Sequence, residues 1–302
     1  MPEQTVRIRP SRRQAFLRSL RELGHVLISD RYAFTGALVY VAFIVVAALA
    51  GVLAPYEPTE ILFTPDGMLA GDLPPSADHP LGTTSLGRDI YSQLLYGTRS
   101  ALLVGLVAAF FVVAIGTLVG LVAGYMGGIV DTILMRITDI AFGIPFLPFV
   151  IVLSAFLEPS IWNVVLAMSL ILWRDTGRVI RSQVLTVKHR SFIEAARVSG
   201  SSTARILFVH IAPNVLPISL LYGSIAVGWA ILTEASISFL GFGATDQISW
   251  GYMLQDAYLS QALSRGAWHW FVPPGLAIVV IVVAGFFISR GYEDILFPKL
   301  KD

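Results

Sequence analysis

Five histidines, His25, His79, His189, His210 and His269, are the side chains best suited to move protons or hold a metal near neutral pH, and they show no ligand spacing. Cysteine is absent, which removes thiol nucleophiles, disulfides and Cys-based metal sites. No stretch matches H-E-x-x-H or G-x-S-x-G, and no GxxxxGK[ST] phosphate loop occurs; even the dipeptide Gly-Lys is missing. Two features remain. Glu234 stands inside an apolar run with Ser238 one helical turn further on. A polar stretch at 190–217, "RSFIEAARVSGSSTARILFVHIAPNVLP", lies between two long apolar runs. Neither is a catalytic or metal constellation. Both suit a protein that conducts, moves or docks something.

The elements that must position these groups are set by composition. Hydrophobic residues make up 55% of the 302, charged residues only 14%, and mean hydropathy is +0.73. A soluble domain carries about 25% charge, so lipid must cover much of this surface. Net charge is +1, which gives no reason to expect nucleic acid as a partner. A span needs about 20 apolar residues. Six segments qualify, at 34–54, 102–125, 133–157, 161–185, 218–240 and 272–288. The chain therefore reads as an all-α polytopic membrane protein. The fourth segment takes in Arg174, Asp175, Arg178 and Arg181 in its second half, and its helix continues into water. Ala48-Leu49-Ala50 matches a small-x-small cleavage pattern, but the polar lead-in exceeds a signal's and the run itself is too long, so it reads as a retained span.

Sidedness follows from the basic residues. Of 21 Lys and Arg, all but Arg88, Arg99 and Arg265 fall on one side of the six-span topology. That side is the cytoplasm, and both termini lie there. The resulting divisions are a cytoplasmic tail at 1–33, a first span at 34–54, an acidic extracytoplasmic loop at 55–98, and a core at 99–302 with a cytoplasmic loop at about 186–217. Within the tail, Phe16, Leu17, Leu20, Leu23 and Leu27 recur at helical spacing with Arg opposite. They read as an amphipathic helix on the inner membrane surface, or more plainly as a solvated basic tail. In the second span Gly116, Gly120 and Gly124 form a small-residue stripe that predicts close helix packing.

The polar stretch resolves into two short helices. Ser191 and Glu194 fit the S-x-x-E capping box. Phe192, Ala195, Ala196 and Ser199 then share one small apolar face, and Gly200 stands where a left-handed C-terminal residue belongs. Ser201, Ser202 and Thr203 offer the next N-cap. A second helix carries Ala204, Leu207, Phe208 and Ile211, and Pro213 and Pro217 end it and open the fifth span. Glu194 either completes its cap or contacts a partner. Glu234 and Ser238 either line a substrate path or tie helices together, since an acid at a span centre costs roughly 2.5–3.5 kcal/mol and must face protein or water. Trp173 and Arg174 read as interface anchors, with gating by Trp173, Arg174 and Asp175 as the alternative. Tyr91, Leu94 and Leu95 read as a short helix at the outer interface.

"EAARVSG" followed by "IAPNVLP" resembles the EAA loop of ABC importer permeases. "HPLGTTSLGRDIYSQLLYGTRSALLVG", "GYMGGIVDTILMRITDI", "EASISFLGFG" and "SWGYML" extend the resemblance to the dipeptide/oligopeptide permease family, its C-type subunit in particular. The similarity runs from about residue 30 to the end. Thr84 stands where the family usually has Asp, "GATDQIS" replaces a Pro-containing stretch, and "SRGYEDILFPKL" departs from the usual tail. The resemblance implies a type I importer permease of six spans in the cell membrane. It makes 194–200 a coupling helix that docks on a separate ATPase, with Phe192, Ala195 and Ala196 for docking, Gly200 for the turn that fixes its direction, and Glu194 for the cap or a charged contact. ATP and Mg would be held by two ATPase subunits or domains, so this chain needs no cofactor of its own. Further implied partners are a B-type second permease and an extracytoplasmic substrate-binding protein. Peptides are the implied cargo, oligosaccharides the alternative; a channel or scaffold is the reading from another class.

Overall fold

A computed structural model describes Gly24 and residues 27–157, 160–244 and 247–296. Residues 14–23, 25 and 26 of the amphipathic segment expected in the tail lie outside them.

Helix α1 (Arg31–Leu53) starts where the Asp30 carboxylate accepts the Ala33 N–H at 2.8 Å. Only Ala33, Gly36 and Ala50 are buried along it, while Leu38, Val41 and Ile44 point outward, as a lipid-facing helix requires. Helix α2 (Ile90–Met126) has 37 residues, about 55 Å of helix and far more than a bilayer core needs. Its start at Ile90 absorbs Tyr91, Leu94 and Leu95, so the separate interfacial helix expected there is the first turns of α2. Asp89 fixes that start by accepting Ser92 N–H at 2.7 Å and Ser92 Oγ–H at 2.8 Å.

The span expected at 133–157 is broken. Helices α3 (Gly128–Gly143) and α4 (Phe146–Phe156) meet at 85°. Pro145 lacks the N–H that would continue α3, and it forces Ile144 into extended backbone (φ −82°, ψ 122°). Helix α5 (Ile161–Val187) then runs unbroken, its start capped by Ser160. After a short α6 (Ser191–Val198) and α7 (Thr203–Arg205), a π-helical turn at Ile206–Ile211 leads into α8 (Ala212–Phe239). Helices α9 (Trp250–Leu259) and α10 (Trp268–Leu296) complete the described chain. Among the described residues, four stretches are long and apolar enough to cross a membrane, Arg31–Leu53, Ile90–Met126, Thr203–Phe239 and Trp268–Glu293, and the bent α3–α4 pair, taken as one span, makes a fifth.

The α2–α5 contact organises the bundle. A Cβ added at Gly116 would sit 2.7 Å from the Trp173 carbonyl oxygen, one at Gly120 2.7 Å from that of Gly177, and one at Gly124 2.8 Å from Val184. Backbones meet here, as the glycine stripe predicts. From the flank of α5, three arginines reach α3. Arg174 donates to the Ala141 carbonyl, Arg178 pairs with Asp139 at 2.9 Å, and Arg181 grips both oxygens of Asp131 at 2.5 and 2.6 Å. The Phe142 ring lies under the Arg174 and Arg178 guanidinium groups, 4.7 and 4.1 Å from its centroid.

At the end of the bundle where α2 begins, residues 55–89 form a lasso pinned by Thr83, whose hydroxyl donates to the Ala70 carbonyl and accepts from Leu73 N–H. Thr84 is fully buried, and its Oγ1 accepts the Arg88 N–H at 3.1 Å. Arg265 ties the lasso to the loop before α10 by pairing with Asp72 at 2.8 Å and donating to Ser85 Oγ, which itself donates to Asp72. The Arg265 guanidinium holds the Asp72 carboxyl below the usual carboxylate range.

Two outcomes follow. Gly120→Val drives a branched Cβ into the Gly177 carbonyl and should cost about 1–3 kcal/mol, read as a lower thermal midpoint of the purified protein; an unchanged midpoint contradicts the close packing. For the lasso, a depressed folded-state value means that the stabilisation is complete above the unfolded carboxylate value of about 3.9 and fades as pH falls through the lower folded one. Hydrogen exchange of the amides from Ala70 to Ser85 should therefore gain protection up to about pH 4 and then level off, and Arg265→Ala should abolish that dependence.

Candidate functional site

At the opposite end of the bundle, α6 stands out as a handle. Arg190, not Ser191, is its N-cap residue and offers no side-chain cap; Ser191 already lies in the first turn. The expected capping box is therefore not formed, because a hydroxyl inside the helix no longer faces the orphan amides. Glu194 is exposed, and its carboxylate makes no hydrogen bond or ion pair among the described residues. A first-turn carboxylate is favoured there by the helix dipole alone. Its charge is free to meet another molecule.

The anchor of the handle is Ile193, fully buried against Val184, Val187, Ile206 and Ile211. Sequence reasoning passed it over, because the small-residue face drew the eye and a single isoleucine in so short a helix makes no periodic signal. Phe192 (39% exposed), Ala195 and Val198 (89%) look outward, and Ala196 is half-buried. An exposed apolar stripe on a helix held down by its other side is a docking surface in form. Gly200 takes φ +76° and closes the helix: its N–H donates to the Arg197 carbonyl and that of Ser201 to the Ala196 carbonyl, the two bonds of a Schellman end. Ser202 then caps α7 by accepting from Arg205 N–H at 3.4 Å.

Pro213 and Pro217 do not break the chain. Thr203–Phe239 is continuous, with Pro213 at the first turn of α8 and Pro217 inside it. The π-helical turn takes up the mismatch: Ala212 N–H reaches back five residues to the Leu207 carbonyl, and Asn214 Nδ2 donates to the His210 carbonyl at 2.7 Å. Helix α7 is thus fused to α8 without a break, and the handle joins it through the turn at residues 199–202. It is also tied to its neighbours. Lys188 Nζ donates to the Gly124 carbonyl at 3.0 Å, and the Arg197 guanidinium lies 6.0 Å from the Tyr125 ring centroid.

Glu234 and Ser238 are each 4% exposed, and Ser238 Oγ donates to Glu234 Oε1 at 2.6 Å. Ser249, the N-cap of α9, also hydrogen-bonds that carboxyl. A Cβ at Gly251 would lie 2.4 Å from the Ala235 carbonyl oxygen, so α8 and α9 are in backbone contact around this acid. Neither Glu234 nor Ser238 lines the clefts beside α8, two of which carry charged side chains. One, of about 450 Å³, is bounded by Phe146, Arg174, Asp175, Tyr222 and Trp229. The other, of about 480 Å³, has Arg178, Gln183, Ser289 and Glu293 on its walls. Among the described residues no three His, Asp or Glu stand close enough to share a metal, and His79 instead pairs with Asp89 at 3.0 Å.

A bundle of membrane-spanning helices with a rigid apolar handle and polar clefts along its helices is an integral membrane protein of the transporting kind. The profile of the family described as "Binding-protein-dependent transport system inner membrane component" matches residues 116–302, and the chain belongs to that family. It is similar to the oligopeptide transport system permease protein OppC of Bacillus subtilis, 35% identical over 90% of this chain and 87% of the relative. It is also similar to the dipeptide transport system permease protein DppC of Haemophilus influenzae (36%; 88% and 91%). The glutathione transport system permease protein GsiD of Pectobacterium atrosepticum matches at 36% over 93% of this chain and 91% of its own. As a member of this family the chain is a permease, not an enzyme.

Gly200→Val places a branched Cβ at a left-handed position, a strain of about 1–2 kcal/mol. Limited proteolysis should cut Ser199–Ser202 at least severalfold faster in that variant, while Gly200→Asn, which tolerates the conformation, stays near wild type. Equal rates would contradict the Schellman end.

Proposed function

We propose that this chain is one of two permease subunits of an ATP-driven peptide importer, and that α6 is the handle by which a separate ATPase moves it. The observation that carries this reading is the geometry of α6. Ile193 locks one side into the bundle, Gly200 fixes its direction, and Phe192, Ala195, Ala196 and the unpaired Glu194 face out. A channel or passive scaffold has no use for such a handle. The peptide cargo is supported by the names of the relatives, which move oligopeptides, dipeptides or glutathione.

In this reading α5 is the sixth span. Its charges are shared with α3 and the clefts rather than with lipid, which is why a test of apolarity passes it by. The distribution of Lys and Arg then puts α6 and both termini in the cytoplasm, and the lasso at 55–89 outside, where it offers an acidic surface to a binding protein. The division into tail, first span, loop and core follows from the same topology. Glu234 and Ser238 act as a tie between α8 and α9 and shape the path from behind its wall. A second permease of B type completes the passage.

The test is co-purification from mild detergent with an ATPase chain carrying both Walker motifs. Burying a Phe side chain is worth about 1.5–3 kcal/mol, so Phe192→Asp should weaken ATPase capture by at least tenfold and abolish nucleotide-dependent uptake. Glu194→Gln isolates the charge. Wild-type capture by Phe192→Asp, or full transport by the lone chain without nucleotide, would refute the reading.

A further inference from the structure

We propose that the cleft at Asp175 binds a primary ammonium group, the free amino terminus of the cargo; this rests on reading the chain as a peptide permease. Asp175 lies about 20 Å along α5 from its start at Ile161, at a rise of 1.5 Å per residue. An ionisable side chain on a membrane-spanning helix marks a functional site by default. Its side chain is 56% exposed and takes part in no hydrogen bond among the described residues; its one charged neighbour is Arg174 Nε, 3.7 Å from Oδ2. Arg174 is committed elsewhere. It donates to the Ala141 carbonyl and stacks on Phe142, with its own side chain only 14% exposed. The Arg174 Nε nearest to it is buried without a hydrogen-bond partner, and Asp175 is the more exposed charge of the pair.

What surrounds it decides the ligand. The cleft of about 450 Å³ is walled by Phe146, Tyr222 and Trp229, and Trp229 is 54% exposed. Aromatic faces beside one carboxylate suit an organic ammonium, which gains from the ring quadrupoles and from the ion pair together. A bare divalent cation wants six or more oxygens, and the lining offers one carboxylate with the Tyr222 and Thr176 hydroxyls. The volume falls within the range of small-molecule sites, about 300–1,000 Å³. A peptide amino terminus meets these demands; so does the headgroup of phosphatidylethanolamine, which the experiment separates.

The chain has no cysteine, so Ala226→Cys puts a single thiol on the cleft wall. The permease pair with its ATPase and binding protein is reconstituted in phosphatidylglycerol vesicles, which carry no headgroup ammonium. Maleimide labelling of that thiol should slow roughly fivefold with a free-amino dipeptide and not with its N-acetyl counterpart. Asp175→Asn should remove the protection and cut the uptake preference for the free-amino peptide by a similar factor, with the binding protein's own affinity unchanged. Equal protection by both peptides, or protection that survives Asp175→Asn, overturns the site while leaving peptide transport standing. Protection seen only after phosphatidylethanolamine is added assigns the cleft to lipid and overturns the cargo assignment. If the intact assembly moves neither peptide but moves an oligosaccharide, the peptide reading falls and this inference with it.

Discussion

The close approach of α2 and α5 is the constraint on which the rest depends. Lipid supplies no hydrophobic force between helices, so association must come from contact. Gly116, Gly120 and Gly124 give that contact by letting the α5 backbone and the Cβ atoms of Thr176, Ile180 and Val184 lie directly against α2. Once α5 is seated, its other residues fall into place. Arg174, Arg178 and Arg181 can reach α3 only because α5 is held at this distance, and through them α5 dictates where the broken α3–α4 pair lies. The clefts beside α8 are walled by the same helix. Its C-terminal end leads straight into the handle.

That continuity bears on how work is transmitted. Shifting a two-state equilibrium from 1:99 to 99:1 takes about 5.5 kcal/mol of differential binding, whereas an exposed ion pair supplies about 0–1 kcal/mol. No single contact of α6 is sufficient. The structure instead binds the handle to the bundle by several routes. These are Ile193 in the core, the Gly200 turn into the continuous α7–α8 helix, Lys188 on Gly124 just before the handle, and α5, which Arg181 pins to Asp131. In the proposed role, a push on the Phe192 face would be passed to α5 and α8 through these contacts. The π-helical turn belongs to this logic. It allows two prolines to sit near the junction without a flexible break, which keeps the lever stiff.

Much of this was readable in the residues, and the failures have physical causes. The apolar runs, the glycine stripe, the left-handed Gly200 and the Ser202 cap each rest on local rules that tertiary contacts did not overturn. The capping box failed by one residue. Ser191 and Glu194 have the right spacing, but Ile193 had to turn into the core, and that register put Arg190 at the cap. Pro145 lies inside an apolar run long enough to span, so length masked the break that its missing N–H imposes. Pro213 and Pro217 misled in the other direction, because a π turn with Asn214 as a substitute donor is invisible to pattern. Thr84 is instructive in a third way. A hydroxyl accepts the Arg88 amide as a carboxylate would, so the departure from the family's usual Asp keeps the turn and removes one charge from a lasso already holding Asp72 and Asp89.

The charges of α5 make a last point about completeness. Arg178 and Asp139 are each about half exposed, at 51% and 52%, and Asp175 is 56% exposed, all on helices that read as membrane spans. Lipid is a poor neighbour for such groups, since a charge at the centre of a span costs roughly 2.5–3.5 kcal/mol on insertion scales. The apolar side chains on the outer faces, Leu166, Leu170 and Phe110 among them, accept lipid without penalty. The surface is therefore divided: one part is finished for the bilayer, and one part is left polar at a depth where water must be admitted or another protein must cover it. The bundle makes physical sense as half of an aqueous path, with the clefts along α5 and α8 turned toward whatever closes the other side.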